Sequence, residues 1–281
     1  MELLAQYLEA RTIIEPFHPK YEVRSAGIMA NTPIELASAN WPFWCDYMQD
    51  VFGGRIANYR QNLGNFRHLS QALVVKDVFS NLVAADLLSE FPFVNGVLIV
   101  RNPVDVAGSK RQRENWQWYM DSPNLEKIAH MPLFESYGER VQEISSLVRS
   151  SSSSFLRYCF GWCLLNIGAL MRLKADSPDT VVVAYESLRA RPVESLEEII
   201  RLSGCEGRSP SPIETETSSI FSSKRGDSAA IRSQGVGDFL SPHESGVLEE
   251  MFDCFGVNRY YSLEGDCLIT HPIKVSQLVT E

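Results

Sequence analysis

The sequence has no cysteine pair at C-x-x-C spacing and no histidines at metal-ligand spacing, although its 281 residues include six cysteines and five histidines. That pattern excludes zinc-ribbon and thioredoxin-like redox sites, and no metal is assigned. Cys159 and Cys163 share one face of an apolar helix and read as core residues in a reducing environment. Basic charge is not in excess either. The net charge of −9 excludes a general nucleic-acid binder, so any anion site has to be a local positive pocket. No G-x-x-x-x-G-K-[ST] string occurs, nor a magnesium-binding carboxylate pattern, which disfavours a nucleotide or sugar kinase. No secretory n-region precedes the first structured segment. The longest uncharged run, Tyr158–Met171, is too short to span a bilayer. The chain reads as soluble and cytoplasmic, with no membrane span.

What the sequence does have is an organised stretch from Ala72 to Lys110, ALVVKDVFSNLVAADLLSEFPFVNGVLIVRNPVDVAGSK. Two apolar, β-branched runs, Ala72–Val75 and Val97–Val100, flank a segment in which Leu82, Val83, Leu87 and Leu88 have helical spacing. This predicts a strand–helix–strand unit of buried parallel strands. Lys76-Asp77 ends the first strand and Arg101-Asn102-Pro103 the second, so both polar clusters are expected outside the carboxyl ends of the strands, in one crevice. Arginine offers a planar fork to phosphate oxygens. Pro103 suits a first helical turn whose free N–H groups would add to the pull on an anion, with Ser109 two turns along. The competing reading is an arginine that caps its strand and pairs with Asp105.

VLIVRNPVDVAGS resembles the 3′-phosphate-binding motif of sulfotransferases that use 3′-phosphoadenosine 5′-phosphosulfate (PAPS). That motif is an apolar strand, then R-[NHD]-P, then a helix carrying a serine eight residues after the arginine; Arg101, Pro103 and Ser109 match it. VVVAYESLRARPVESLEEIIRLSG is similar to the family's Y-E-D-L…P…L segment, and the likeness runs from about Leu3 to Tyr261. The resemblance implies an α/β, P-loop NTPase-like three-layer sandwich with a mostly parallel sheet, as one domain over 1–281. It implies sulfuryl transfer from PAPS to a hydroxyl-bearing acceptor, a glycan or a small molecule. Arg101 and Ser109 would hold the 3′-phosphate and Tyr185 would lie near the adenine, the alternative being an aromatic plug at the strand end. Lys76 would stabilise charge on the bridging and sulfuryl oxygens.

Thr12–Ile14 followed by Glu15-Pro16 is similar to the family's second strand, so the resemblance implies that the first strand and its R-S-G-T-like 5′-phosphosulfate loop lie upstream of Met1. The nearest string, Val23–Gly27, follows no apolar strand and reads as an ordinary loop. Glu15 has two readings: a base that takes the acceptor proton, as in several branches of the family, or a surface acid before a turn-forming proline. The histidine that serves the cytosolic branch is replaced here by Val78, and Asp77 is the next candidate base. Residues 18–70 read as a helical cover in which Trp41, Phe43, Trp44 and Tyr47 either pack on the sheet or line an acceptor pocket. The Ser/Thr/Pro/Glu-rich Ser209–Ser223 opens a mobile loop region over 209–240. There Lys224-Arg225-Gly226, with Gly235–Phe239, resembles the R-K-G-x-x-G-D-W loop that closes over the 3′-phosphate. Ser241-Pro242 predicts a capped helix running to Phe255. The rival expectation is a catalytically inactive remnant that binds a nucleotide or serves a structural role.

Overall fold

The computed structural model describes residues 2–17, 41–56, 72–112, 122–205, 240–261 and 267–278. It is a mixed α/β protein whose chain divides into two compact units. The first comprises Met1–Asn95 with Gly204–Ser223, and the second Gly96–Ser203 with Lys224–Glu281.

In the first unit, helix α1 (Glu2–Tyr7) leads into strand β1 (Arg11–Ile14). Helix α2 (Trp41–Phe52) follows, and it buries Trp44, Tyr47, Met48 and Val51, the i, i+3, i+4, i+7 face of an amphipathic helix. That face meets Ile13 and Phe17, and the Phe17 ring sits 4.4 Å from Trp44 and 5.6 Å from Tyr47, centre to centre. Packing is therefore the part of the aromatic cluster's reading that Trp44 and Tyr47 satisfy, while Phe43 is exposed. Gly54, just after α2, has φ +67°, and its carbonyl accepts from Arg11 Nη1 at 2.5 Å. A Cβ there would lie 3.0 Å from that guanidinium, so the close approach also favours glycine. Strand β2 (Leu73–Lys76) runs parallel to β1, with Arg11 opposite Leu73 and Ile14 opposite Lys76. A tight turn at Asn81–Val83 then opens helix α3 (Ala84–Glu90).

The second unit begins with strand β3 (Val97–Val100) and helix α4 (Pro103–Gln112). Helices α5 (Ser122–Ala129), α6 (Glu139–Ser150) and α7 (Ser154–Asp176) follow, the last with one widened turn at Cys163–Ile167. Strand β4 (Val181–Ala184) is fully buried, as its unbroken apolar run requires. It pairs parallel with β3 on one side and antiparallel with β5 (Ile273–Lys274) on the other. Helix α8 (Tyr185–Ala190) starts directly on β4, and α9 (Pro192–Leu202) packs Ile199 against Val181 and Val183. Helix α10 (Pro242–Cys254) carries the expected cap: Ser241 Oγ accepts from Glu244 N at 3.3 Å, and Glu244 Oε2 accepts from Ser241 N at 3.0 Å.

The strands flanking Asn81–Glu90 stand in different ladders, β2 with β1 and β3 with β4. In the sheet containing β3, the two-residue β5 adds an antiparallel edge to the parallel β3–β4 pair. Helix α7 outruns the uncharged stretch at both ends, taking in Arg157, Arg172 and Lys174. By length and composition it is the one described helix able to cross a membrane, but 78% of its apolar window is buried in the protein, as in a core helix.

Candidate active site

Lys76 ends β2 opposite Ile14, and Glu15 follows β1 by one residue. The Glu15 N–H donates to the Lys76 carbonyl at 2.6 Å, which extends the ladder by one bond. The Lys76 ammonium in turn donates to Glu15 Oε1. Both side chains stay partly open, 39% for Lys76 and 24% for Glu15, so a proton acceptor and a cation sit together within reach of solvent. Glu15 holds φ +50°, a conformation that costs an L-residue about 1–2 kcal/mol.

Asp77, the other candidate base, is committed to backbone donors. Its Oδ1 accepts from Phe79 N at 2.6 Å and Ser80 N at 2.8 Å, and its Oδ2 from Phe17 N at 3.2 Å. An ionised carboxylate has about four acceptor positions, and these bonds occupy most of them. Desolvation pushes the carboxyl above its ordinary range, with the three backbone bonds working in the opposite direction.

In the second unit Arg101 follows β3. Its guanidinium lies 5.2 Å from the centre of the Tyr185 ring, and its Nη2 is 3.8 Å from Asp105 Oδ2. The arginine thus has an internal carboxylate on one side and the Tyr185 ring on the other. Asn102, 1% exposed, caps α4. Its Oδ1 accepts from Val104 N at 2.8 Å and Asp105 N at 3.2 Å, and its carbonyl accepts from Val106 N at 3.0 Å. Proline at 103 has no N–H. The expectation of free first-turn donors is therefore wrong: the cap residue between Arg101 and Pro103 consumes them. Any anion here has to be held by side chains. Asn102 Nδ2 is buried and without a partner among the described residues.

Asn102 is itself anchored. Its N–H donates to Glu186 Oε1 at 3.0 Å, and Glu186 Oε2 accepts from the buried Tyr261 hydroxyl at 3.3 Å. The structure thus brings Glu15 to Lys76 and Arg101 to Tyr185. It forms no hydrogen bond between Ser109, partly buried on α4, and Arg101 among the described residues. Lys224, Arg225, the glycines and Phe239 of the proposed closing loop, and Val23–Gly27 lie outside the described residues, as do Trp116, Trp118 and Tyr119. The residues missed from sequence are Asn102 and Glu186. The first had a signal, an Asn-Pro pair at a helix start. The second stands in the segment similar to Y-E-D-L, but its role as a tie was not readable, since its partners lie far away in the chain. Among the described residues no group of three or more His, Cys, Asp or Glu side chains could hold a metal ion.

Lys110, beside Ser109 on α4, places its ammonium 5.9 Å from the Tyr158 ring, and burial lowers its pKa from the usual 10.5 to about 8. Below about pH 8 the folded and unfolded chains both carry the charge, and the burial penalty applies in full. Between about 8 and 10.5 the folded state sheds its proton first, so this residue's contribution to stability rises with pH. Lys110→Met should therefore gain stability over wild type at pH 7.5, and lose that advantage as urea midpoints are followed to higher pH. A difference that stays constant with pH would show that Lys110 is not desolvated. Comparison with protein-family models, with curated proteins and with solved structures finds no match to this chain.

Proposed function

We propose that this chain is a PAPS-dependent sulfotransferase, built on a P-loop-like three-layer α/β sandwich. The observation that carries the reading is the contact between Arg101 and Tyr185 at 5.2 Å. Two separate sequence motifs, 84 positions apart, assign these residues to one nucleotide, and they meet at the carboxyl ends of neighbouring parallel strands. The 3′-phosphate would take the guanidinium, and Tyr185 would offer its face to the base. Ser109 completes the motif, and Lys224 and Arg225 are its further candidates.

In the proposed reaction the acceptor oxygen attacks sulfur, and the bond from sulfur to the bridging phosphate oxygen breaks. Glu15 takes the acceptor proton. Lys76 neutralises charge that grows on the bridging and sulfuryl oxygens, leaving 3′-phosphoadenosine 5′-phosphate. The fold proposal includes a further parallel neighbour for β2 and another for β3, each of which has one paired neighbour among the described residues. The rival reading, a binding or structural protein without transfer, is favoured by one observation: Asp105 already stands against Arg101.

The test is ligand-induced stabilisation. 3′-Phosphoadenosine 5′-phosphate should raise the melting temperature, and ADP, which lacks the 3′-phosphate, should raise it less. Arg101→Ala should abolish the larger shift, since a charged hydrogen bond contributes about 1.5–3 kcal/mol. A shift retained in full by the variant removes Arg101 from the site. A shift with no transfer by the full-length protein favours the rival.

A further inference from the structure

Glu9 and Glu15 are the described non-glycine residues with positive φ, at 51° and 50°. Glu9 has a local reason. It closes α1, where Ala10 N reaches back to Ala5 O at 2.7 Å in the manner of a helix C-cap. Glu15 ends no helix, and nothing in Ile-Glu-Pro-Phe asks for a left-handed residue. Backbone strain of this kind persists where the surroundings over-determine it, and it is concentrated at functional sites.

The surroundings of Glu15 do over-determine it. On its N-terminal side the ladder bond from Glu15 N to Lys76 O continues the β1–β2 register. On its C-terminal side two bonds hold the next two residues. The Tyr47 hydroxyl donates to the Pro16 carbonyl at 2.6 Å, and Phe17 N donates to Asp77 Oδ2 at 3.2 Å. Tyr47 is 1% exposed and fixed in the α2 face, while Asp77 is fixed through Oδ1 to the turn that precedes α3. The Glu15–Pro16–Phe17 turn is therefore gripped from α2 and from the end of β2, and its first residue has to bend left-handed.

We infer that Asp77 and Tyr47 are positioning residues, a clamp that holds Glu15 in its left-handed conformation with its carboxylate on Lys76. This rests on the proposed role of Glu15 as base for sulfuryl transfer. It gives Asp77 a different task from the proton acceptor that its sequence position suggested.

Asp77→Asn separates the clamp from the fold. An asparagine oxygen can still accept from Phe79 and Ser80, while its NH₂ group faces the Phe17 N–H, donor against donor. In the full-length protein the Phe17 and Glu15 amides should lose hydrogen-exchange protection, and those of Phe79 and Ser80 should keep it. Turnover should fall roughly 10²-fold with the donor KM unchanged, the usual scale for a displaced catalytic group. Tyr47→Phe, which keeps the ring and removes the bond to Pro16, should give a smaller loss of the same kind. Full protection of Phe17 and Glu15 in Asp77→Asn overturns the clamp. Lost protection with wild-type turnover overturns its role in catalysis. A wild-type protein that transfers no sulfuryl group sinks the enzymatic reading, and the clamp then stands or falls on exchange alone.

Discussion

Glu15→Gln is expected to lower turnover of the full-length protein by roughly 10²–10⁴-fold, the usual contribution of a general base, with little change in donor binding. Glutamine keeps the size and the carbonyl acceptor that Lys76 Nζ uses, and loses only the capacity to take a proton. A stability series at the same position reports on the strain. Glycine has no Cβ to clash at φ +50°, whereas alanine carries about 1–2 kcal/mol of penalty there. Glu15→Gly should therefore be more stable than Glu15→Ala, though both lack the carboxylate and both should be inactive. At Glu9 the same glycine-over-alanine order should appear with activity unchanged, because that residue closes a helix and is not part of the proposed site. Unaltered turnover in Glu15→Gln would assign the proton to another group, and the three backbone donors on Asp77 argue against that residue.

The elements that were legible in the sequence are those whose pattern is local. Val181–Val183 is an unbroken β-branched run and forms a fully buried strand. Ser241-Pro242 followed by Glu244 is a capping box on the page and in the structure. Helix α6 has its buried face, Val141, Ile144 and Val148, at helical spacing in the sequence. Strand partnership was not legible. Four-residue apolar runs look alike, and nothing in Leu73–Lys76 says that its neighbour is Arg11–Ile14 rather than Val97–Val100. At the candidate site the residue types were readable and their commitments were not. Arg101 was visible as an anion ligand, but the cap that consumes the α4 donors depends on how one asparagine turns. The clamp on Glu15 joins Phe17 to Asp77 across sixty positions, and the tie on Asn102 joins Glu186 to Tyr261 across seventy-five. Such contacts exist only once the strands have come together.

That second tie sets the largest stability effect to expect. Glu186 holds two donors that have no access to water: the N–H of Asn102, a residue 1% exposed, and the hydroxyl of Tyr261, a residue 0% exposed. Burial and then the Glu186 charge push the Tyr261 hydroxyl well above its usual range, so the phenol stays a donor at any ordinary pH. Glu186→Ala strands both donors. Hydrogen bonds to a charged acceptor contribute about 1.5–3 kcal/mol each, so unfolding in urea should register a loss of roughly 3–5 kcal/mol. Glu186→Gln retains one acceptor oxygen and should lose about half as much. Tyr261→Phe removes one donor together with the need for it. The Glu186→Ala, Tyr261→Phe double variant should therefore cost less than the sum of the singles, and the shortfall measures the coupling. The consequence reaches Arg101, because Asn102 is its chain neighbour and the cap of α4. At a temperature where Glu186→Gln is still folded, its stabilisation by 3′-phosphoadenosine 5′-phosphate should be weaker than that of wild type. A loss below about 0.5 kcal/mol in Glu186→Ala, the range of an ordinary surface substitution, would show that the tie does not hold the strand ends together.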